Sequence, residues 1–232
     1  MTSDALMSLG LRREQIEGIL EAVGRVDSRH RHLKHSCHRV RKWQDNFERF
    51  RGNVCRWEGA EIHAAKFMAR AQAAWAEGED EAAQEAFGYC VHFIQDGLCP
   101  EHILPFSERF VHFWSIAHVN IEGYMHIVYR CKDWGKSIRE AKPASITSPE
   151  DLRRQIEEAT DWVANLPCSY IRNDRIRMTD ARVGRASLSG WRMSDADMGR
   201  WMARAASIVK GVAILAAHKE WQIRDSSRKS PQ

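Results

Sequence analysis

Ser148-Pro149-Glu150-Asp151 is the most constraining feature of this chain, because it combines an N-cap serine, a first-turn proline and a capping-box acid at one helix start. Leu152, Ile156, Ala159 and Val163 follow at helical spacing. The same device recurs at Ser194 and Asp197, ahead of a stripe formed by Met198, Trp201, Ala205, Ile208, Val212 and Leu215. Further helices are expected over Leu11 to Val26, on Ile16, Ile19, Leu20 and Val23, and then on Leu33, Val40, Trp43, Phe47 and Phe50. The alanine-rich stretch from Glu58 to Ala76 and the series Ala83, Phe87, Cys90 and Ile94 add two more. No run alternates polar and β-branched residues convincingly, and no fixed-period repeat is visible. The expectation is an all-α, single-domain multi-helix bundle.

At 232 residues, one domain over 1–224 suffices to bury a core, and 225–232 is expected to be a disordered tail. A hydrophobic content of 44% with 28% charged residues excludes a disordered chain. The N-terminus lacks a basic region followed by an apolar stretch, and Lys210 and His218 interrupt the longest apolar segment. A cytoplasmic protein with no membrane span and no integral membrane contact is expected. Six cysteines without CxxC spacing are expected to be free thiols. The net charge of +4 is compatible with an anionic substrate and too small to indicate nucleic acid. Arg172, Arg175, Arg177, Arg182 and Arg185 fall in an irregular connection, read as a solvated loop in preference to a phosphate contact.

Chemistry concentrates in His92-Phe93-Ile94-Gln95-Asp96-Gly97-Leu98-Cys99-Pro100-Glu101-His102. On a helix, His92 and Asp96 stand one turn apart on one face and can grasp the same ion. Gly97 and Pro100 are expected to end or bend that helix, turning His102 back toward the site. His118 and Glu122 repeat the spacing. With eleven histidines and 31 acidic residues, one such pair arises easily by chance, and an isolated one is more often packed than ligating. The whole pattern is far more specific.

HFIQDGLCPEH resembles the H-[FY]-[IL]-x-D-x-x-x-P-x-H motif of the zinc-dependent phospholipases C and, more distantly, of the single-strand-specific zinc nucleases that share their fold. The match has no gap. The resemblance implies that His92 and Asp96 bind one zinc, with Asp96 bridging to a second, and that His102, His118 and Glu122 bind another. His126 stands on the other side of Glu122 as an alternative, although the family's order favours His118. It also implies an upstream histidine ligand; His63 is the one histidine between His38 and His92, and its other reading is a polar interruption of an alanine-rich helix. Glu122, and Ile103-Leu104-Pro105-Phe106 where the nucleases carry GGN, lean toward the phospholipase branch.

His35, His38 and Asp45 share one helical stripe and would form a third zinc site with Asp96, or else face solvent. Asp45 is the candidate base that orients the attacking water. The expected activity is zinc-dependent phosphoesterase, with two zinc ions and a third if that stripe ligates. A phospholipid phosphodiester is the favoured substrate; Phe106, Phe110, Phe113, Trp114 and Tyr124 would line its pocket or simply pack the core. Single-stranded nucleic acid or a nucleotide is the alternative substrate, although Trp191-Arg192 and Arg200-Trp201 are sparse for stacking. A third reading is a non-catalytic zinc-stabilised interaction module, which a closed coordination shell would distinguish from an enzyme.

Overall fold

The computed structural model describes residues 1–30, 58–99, 134–164, 169–170, 191–192 and 195–227. Over these the chain is all-α, with seven helices: α1 (Thr2–Met7), α2 (Arg13–Arg29), α3 (Ala60–Glu77), α4 (Asp80–Leu98), α5 (Trp134–Glu140), α6 (Pro149–Ala164) and α7 (Asp195–Ser227). One short antiparallel ladder joins β1 (Ser169–Tyr170) to β2 (Trp191–Arg192), pairing Ser169 with Arg192 and Tyr170 with Trp191. No run of alternating residues announces so small a ladder. It brings together the two ends of the arginine-rich connection, whose Arg172, Arg175, Arg177, Arg182 and Arg185 lie outside the described residues.

α4 is the central helix, packed by α2, α3, α6 and α7. From Ala86 to Leu98 every residue except Gln95 is buried, as a helix apolar on all sides must be. Phe87, Phe93 and Ile94 are fully enclosed, among Ile19 of α2, Met68 of α3 and Ile156 of α6 in the same core. α3 and α4 form a tight helical hairpin. Gly78 takes the left-handed conformation at φ 79°, its N–H donates to Trp75 O at 3.1 Å, and the Glu79 N–H donates to Ala74 O at 2.8 Å. These two bonds satisfy carbonyls that the helix end would otherwise orphan.

The expected start of α6 is present. Ser148 Oγ accepts the Asp151 N–H at 3.1 Å, while Asp151 Oδ2 accepts the Thr147 N–H at 3.0 Å, one residue earlier than a capping box strictly requires. Leu152, Ile156, Ala159 and Val163 are all buried. In α7, Asp197 is buried in the first turn and pairs with Arg200, whereas Ser194 lies outside the described residues.

Several expectations need correction. Leu20 is 37% exposed, and Ala22 and Val26 carry the buried stripe of α2 with Ile16 and Ile19. As expected, α4 ends between Gly97 and Pro100, its last residue being Leu98. α7 continues to Ser227, so the segment 225–227, expected to be tail, is helical. The helix expected on Leu33 to Phe50 lies outside the described residues. Cys90 and Cys99 are free thiols, and among the described residues no helix is long and apolar enough to cross a membrane.

Candidate metal centre

His92 and Asp96 meet on one face of α4, with His92 Nε2 2.9 Å from Asp96 Oδ2. The (i, i+4) spacing alone brings the two groups within reach, and the surrounding helices remove them from solvent, to 8% and 9% exposure. Ligand atoms about 2.0–2.2 Å from one tetrahedral zinc stand about 3.3 Å apart. The pair therefore fits a zinc ion after an opening of a few tenths of an ångström, and a neutral imidazole with a carboxylate is a suitable donor set.

The other face of the imidazole is also held. His92 Nδ1 donates to the carbonyl oxygen of Val23 on α2 at 3.1 Å. A carbonyl partner on the second ring nitrogen is the usual support of a metal-binding histidine. α2 can come this near because residue 88 is glycine: a Cβ there would stand 2.5 Å from Ala22 Cβ and 2.7 Å from Ile19 O.

Immediately after Asp96, the C-terminal end of α4 is secured from two directions. Thr160 Oγ1 donates to Gly97 O at 3.0 Å, sharing its proton with Ile156 O at 2.8 Å. Trp201 Nε1 donates to Leu98 O at 2.7 Å. Gly97 lets the helices pack closely here, since a Cβ would lie 3.2 Å from Ile156 Cγ2 and 3.3 Å from Ala60 Cβ, tighter than an ordinary contact.

His63 projects from α3 onto the ring of Phe93, with centroids 5.1 Å apart, and His92 approaches the same ring at 5.6 Å. Its Nδ1 is 3.9 Å from Glu58 Oε2. Glu58 in turn takes two hydrogen bonds from Lys66 Nζ, at 2.5 and 2.6 Å, which hold its carboxyl below the usual carboxylate range. Among the described residues no three His, Cys, Asp or Glu side chains converge on one point, so His63 does not complete a three-ligand group with His92 and Asp96. The remaining expected ligands, His35, His38, His102, His118 and Glu122, and the candidate base Asp45, lie outside the described residues, as do Phe106, Phe110, Phe113, Trp114 and Tyr124.

Val23, Gly88, Thr160 and Trp201 escaped the sequence reading as site residues. Three of them act on or through backbone carbonyls, which leave no side-chain signature. Gly88 carried a signal, a glycine in the middle of an otherwise strong helix, which marks a close backbone approach. No protein-family model, curated protein or solved structure matches the chain.

Proposed function

We propose that the chain is a zinc-dependent phosphoesterase of the phospholipase C and single-strand nuclease fold, hydrolysing a phosphodiester of a phospholipid. The observation that carries the reading is the buried His92–Asp96 pair at 2.9 Å, with its imidazole oriented by the Val23 carbonyl, in the middle of the motif HFIQDGLCPEH. A buried charge needs a partner, and a pair so supported from behind suits a metal ligand better than a surface ion pair. Zinc bound there supplies Lewis acidity toward a phosphoryl oxygen and a water acidic enough to lose its proton near neutral pH.

The chain's own residues divide the remaining work. His92 and Asp96 hold the ion. Phe93 packs against His92, and Phe67 stacks on Phe93 behind it, so one side of the pair is apolar, which strengthens a charge interaction there. In this reading His102, His118 and Glu122 hold a second ion, and His35, His38 and Asp45 belong to a third site that includes the base, while His63 packs on Phe93 beside the first site without joining it. A cytoplasmic location accompanies this reading.

A non-catalytic, zinc-stabilised module is the second reading. The near-complete burial of both His92 and Asp96 favours it, because a catalytic ion keeps a position open to substrate. Elemental analysis of protein purified without chelator, beside assays on a chromogenic phosphodiester, a phosphatidylcholine analogue and single-stranded DNA, separates the cases. Two or more zincs per chain, with metal and activity both lost in Asp96→Ala, is the result expected. Zinc without turnover supports the module. No zinc, or zinc unchanged in Asp96→Ala, overturns the assignment of the site.

A further inference from the structure

The contact between α2 and α4 does more than fill the core. At Gly88 the two backbones are so near that a Cβ would press on Ala22 Cβ at 2.5 Å, on Ile19 O at 2.7 Å and on Val23 N at 3.2 Å. Any larger residue must drive the helices apart. One turn further along α4, His92 Nδ1 reaches Val23 O at 3.1 Å, a distance that any such separation would lengthen. A helical carbonyl keeps a second lone pair for a partner of this kind.

A carbonyl oxygen accepts and has no proton to give. His92 Nδ1 must therefore carry one, which leaves Nε2, 2.9 Å from Asp96 Oδ2, as the nitrogen that can give up the proton it shares with Asp96 and offer its lone pair to a metal. We propose that the Gly88 crossing is a positioning device: it brings the Val23 carbonyl to His92, commits Nδ1 to a proton, and makes Nε2 the atom that binds zinc beside Asp96. This rests on the zinc reading above. Gly88 and Val23 touch neither metal nor substrate and act through His92.

Nitrogen-15 spectra of the histidine rings test it directly. The full chain, labelled at histidine, is compared without metal and after addition of zinc chloride, with His92→Gln identifying the resonances. Gly88→Ala is compared with Gly24→Ala, a control glycine of α2 whose added methyl meets nothing within 4 Å. The wild type is expected to keep a protonated Nδ1 at His92 in both states, with zinc moving the Nε2 resonance. Gly88→Ala is expected to lose that signature and to bind zinc about 10- to 100-fold more weakly, the usual cost of losing a supporting partner. Gly24→Ala should match the wild type in both.

Zinc on Nδ1, a metal-free ring protonated at Nε2 alone, or a Gly88→Ala protein identical to wild type overturns the proposal. If Gly88→Ala fails to fold, the wild-type spectra still decide which nitrogen holds the proton and which takes the metal. A wild type that takes up no zinc removes the zinc reading, and with it the role of Nε2. Zinc taken up through Nδ1 leaves that reading standing and removes the positioning device alone.

Discussion

Trp201 donates its indole Nε1–H to the carbonyl oxygen of Leu98 at 2.7 Å, tying α7 to the last residue of α4 across 103 positions of sequence. The last carbonyls of a helix have no partner of their own. Here those of Gly97 and Leu98 are met by buried side chains, Thr160 and Trp201, from two different helices. The end of the helix that carries His92 and Asp96 is therefore fixed by tertiary contacts.

Trp201→Phe keeps most of the ring and removes the donor. Leaving the buried Leu98 carbonyl without it should cost about 1–3 kcal/mol. Urea unfolding should show a lower midpoint at unchanged slope, the mark of lost stability in an unchanged native fold. Thr160→Val, which removes the shared hydroxyl and preserves volume, should cost about 1 kcal/mol. A Trp201→Phe protein as stable as the wild type would show that the Leu98 carbonyl is satisfied without the indole.

Two helical glycines should respond in opposite directions to the same added methyl. At Gly211 a Cβ would lie 2.4 Å from Ala144 O and 3.0 Å from Ile146 Cδ1, where the 141–147 segment crosses α7 and Ala144 N–H donates to Ser207 O at 2.9 Å. Gly211→Ala should lose about 1–3 kcal/mol through this overpacking. Gly24 sits on the exposed face of α2 with open space around it, and Gly24→Ala should gain about 0.5–1 kcal/mol from the lower entropy of the unfolded chain. Unfolding midpoints of the two variants falling on the same side of the wild type would contradict this account.

What the sequence revealed was local. The start of α6 was legible because Ser148 and Asp151 carry the signal within four positions, and the His92–Asp96 contact follows from helical spacing alone. Leu20 was misplaced for a non-local reason: the stripe of α2 turns toward Ala22, where Gly88 demands a small partner. The supports of the site span 69, 63 and 103 positions, from His92 to Val23, Thr160 to Gly97 and Trp201 to Leu98, and no pattern within one helix encodes them. α1 was also unread, although Ala5 and Leu6 are fully buried, because six residues are too few to establish a period.

The N-cap of α6 offers a test at a single exchange. Ser148→Ala removes the acceptor of the Asp151 N–H and should cost about 1 kcal/mol. Ser148→Asp restores an acceptor and places negative charge at the positive end of the helix, so it should recover most of that loss. Equal unfolding midpoints for the alanine variant and the wild type would assign the helix start to Pro149 and packing instead.

Lys210 is 2% exposed on α7, and its Nζ donates to Arg139 O at 2.8 Å and Ala141 O at 2.9 Å, capping the C-terminal end of α5. Burial pushes its pKa below the ordinary 10.5. Between that lowered value and 10.5 the unfolded chain holds its proton while the folded chain has released it. Stability rises with pH wherever the unfolded state binds more protons, so the Lys210 contribution is least favourable below the folded pKa and improves up to the unfolded one. The neutral amine still has two hydrogens for its two carbonyls, so deprotonation relieves the buried charge without uncapping α5. Lys210→Met removes both the titration and the cap. The stability of the wild type relative to Lys210→Met, from urea unfolding at about pH 8 and about pH 10, should therefore grow with pH. A difference that is constant or shrinks over that interval would place the Lys210 ammonium in a solvated setting, contrary to its enclosure between α7 and the end of α5.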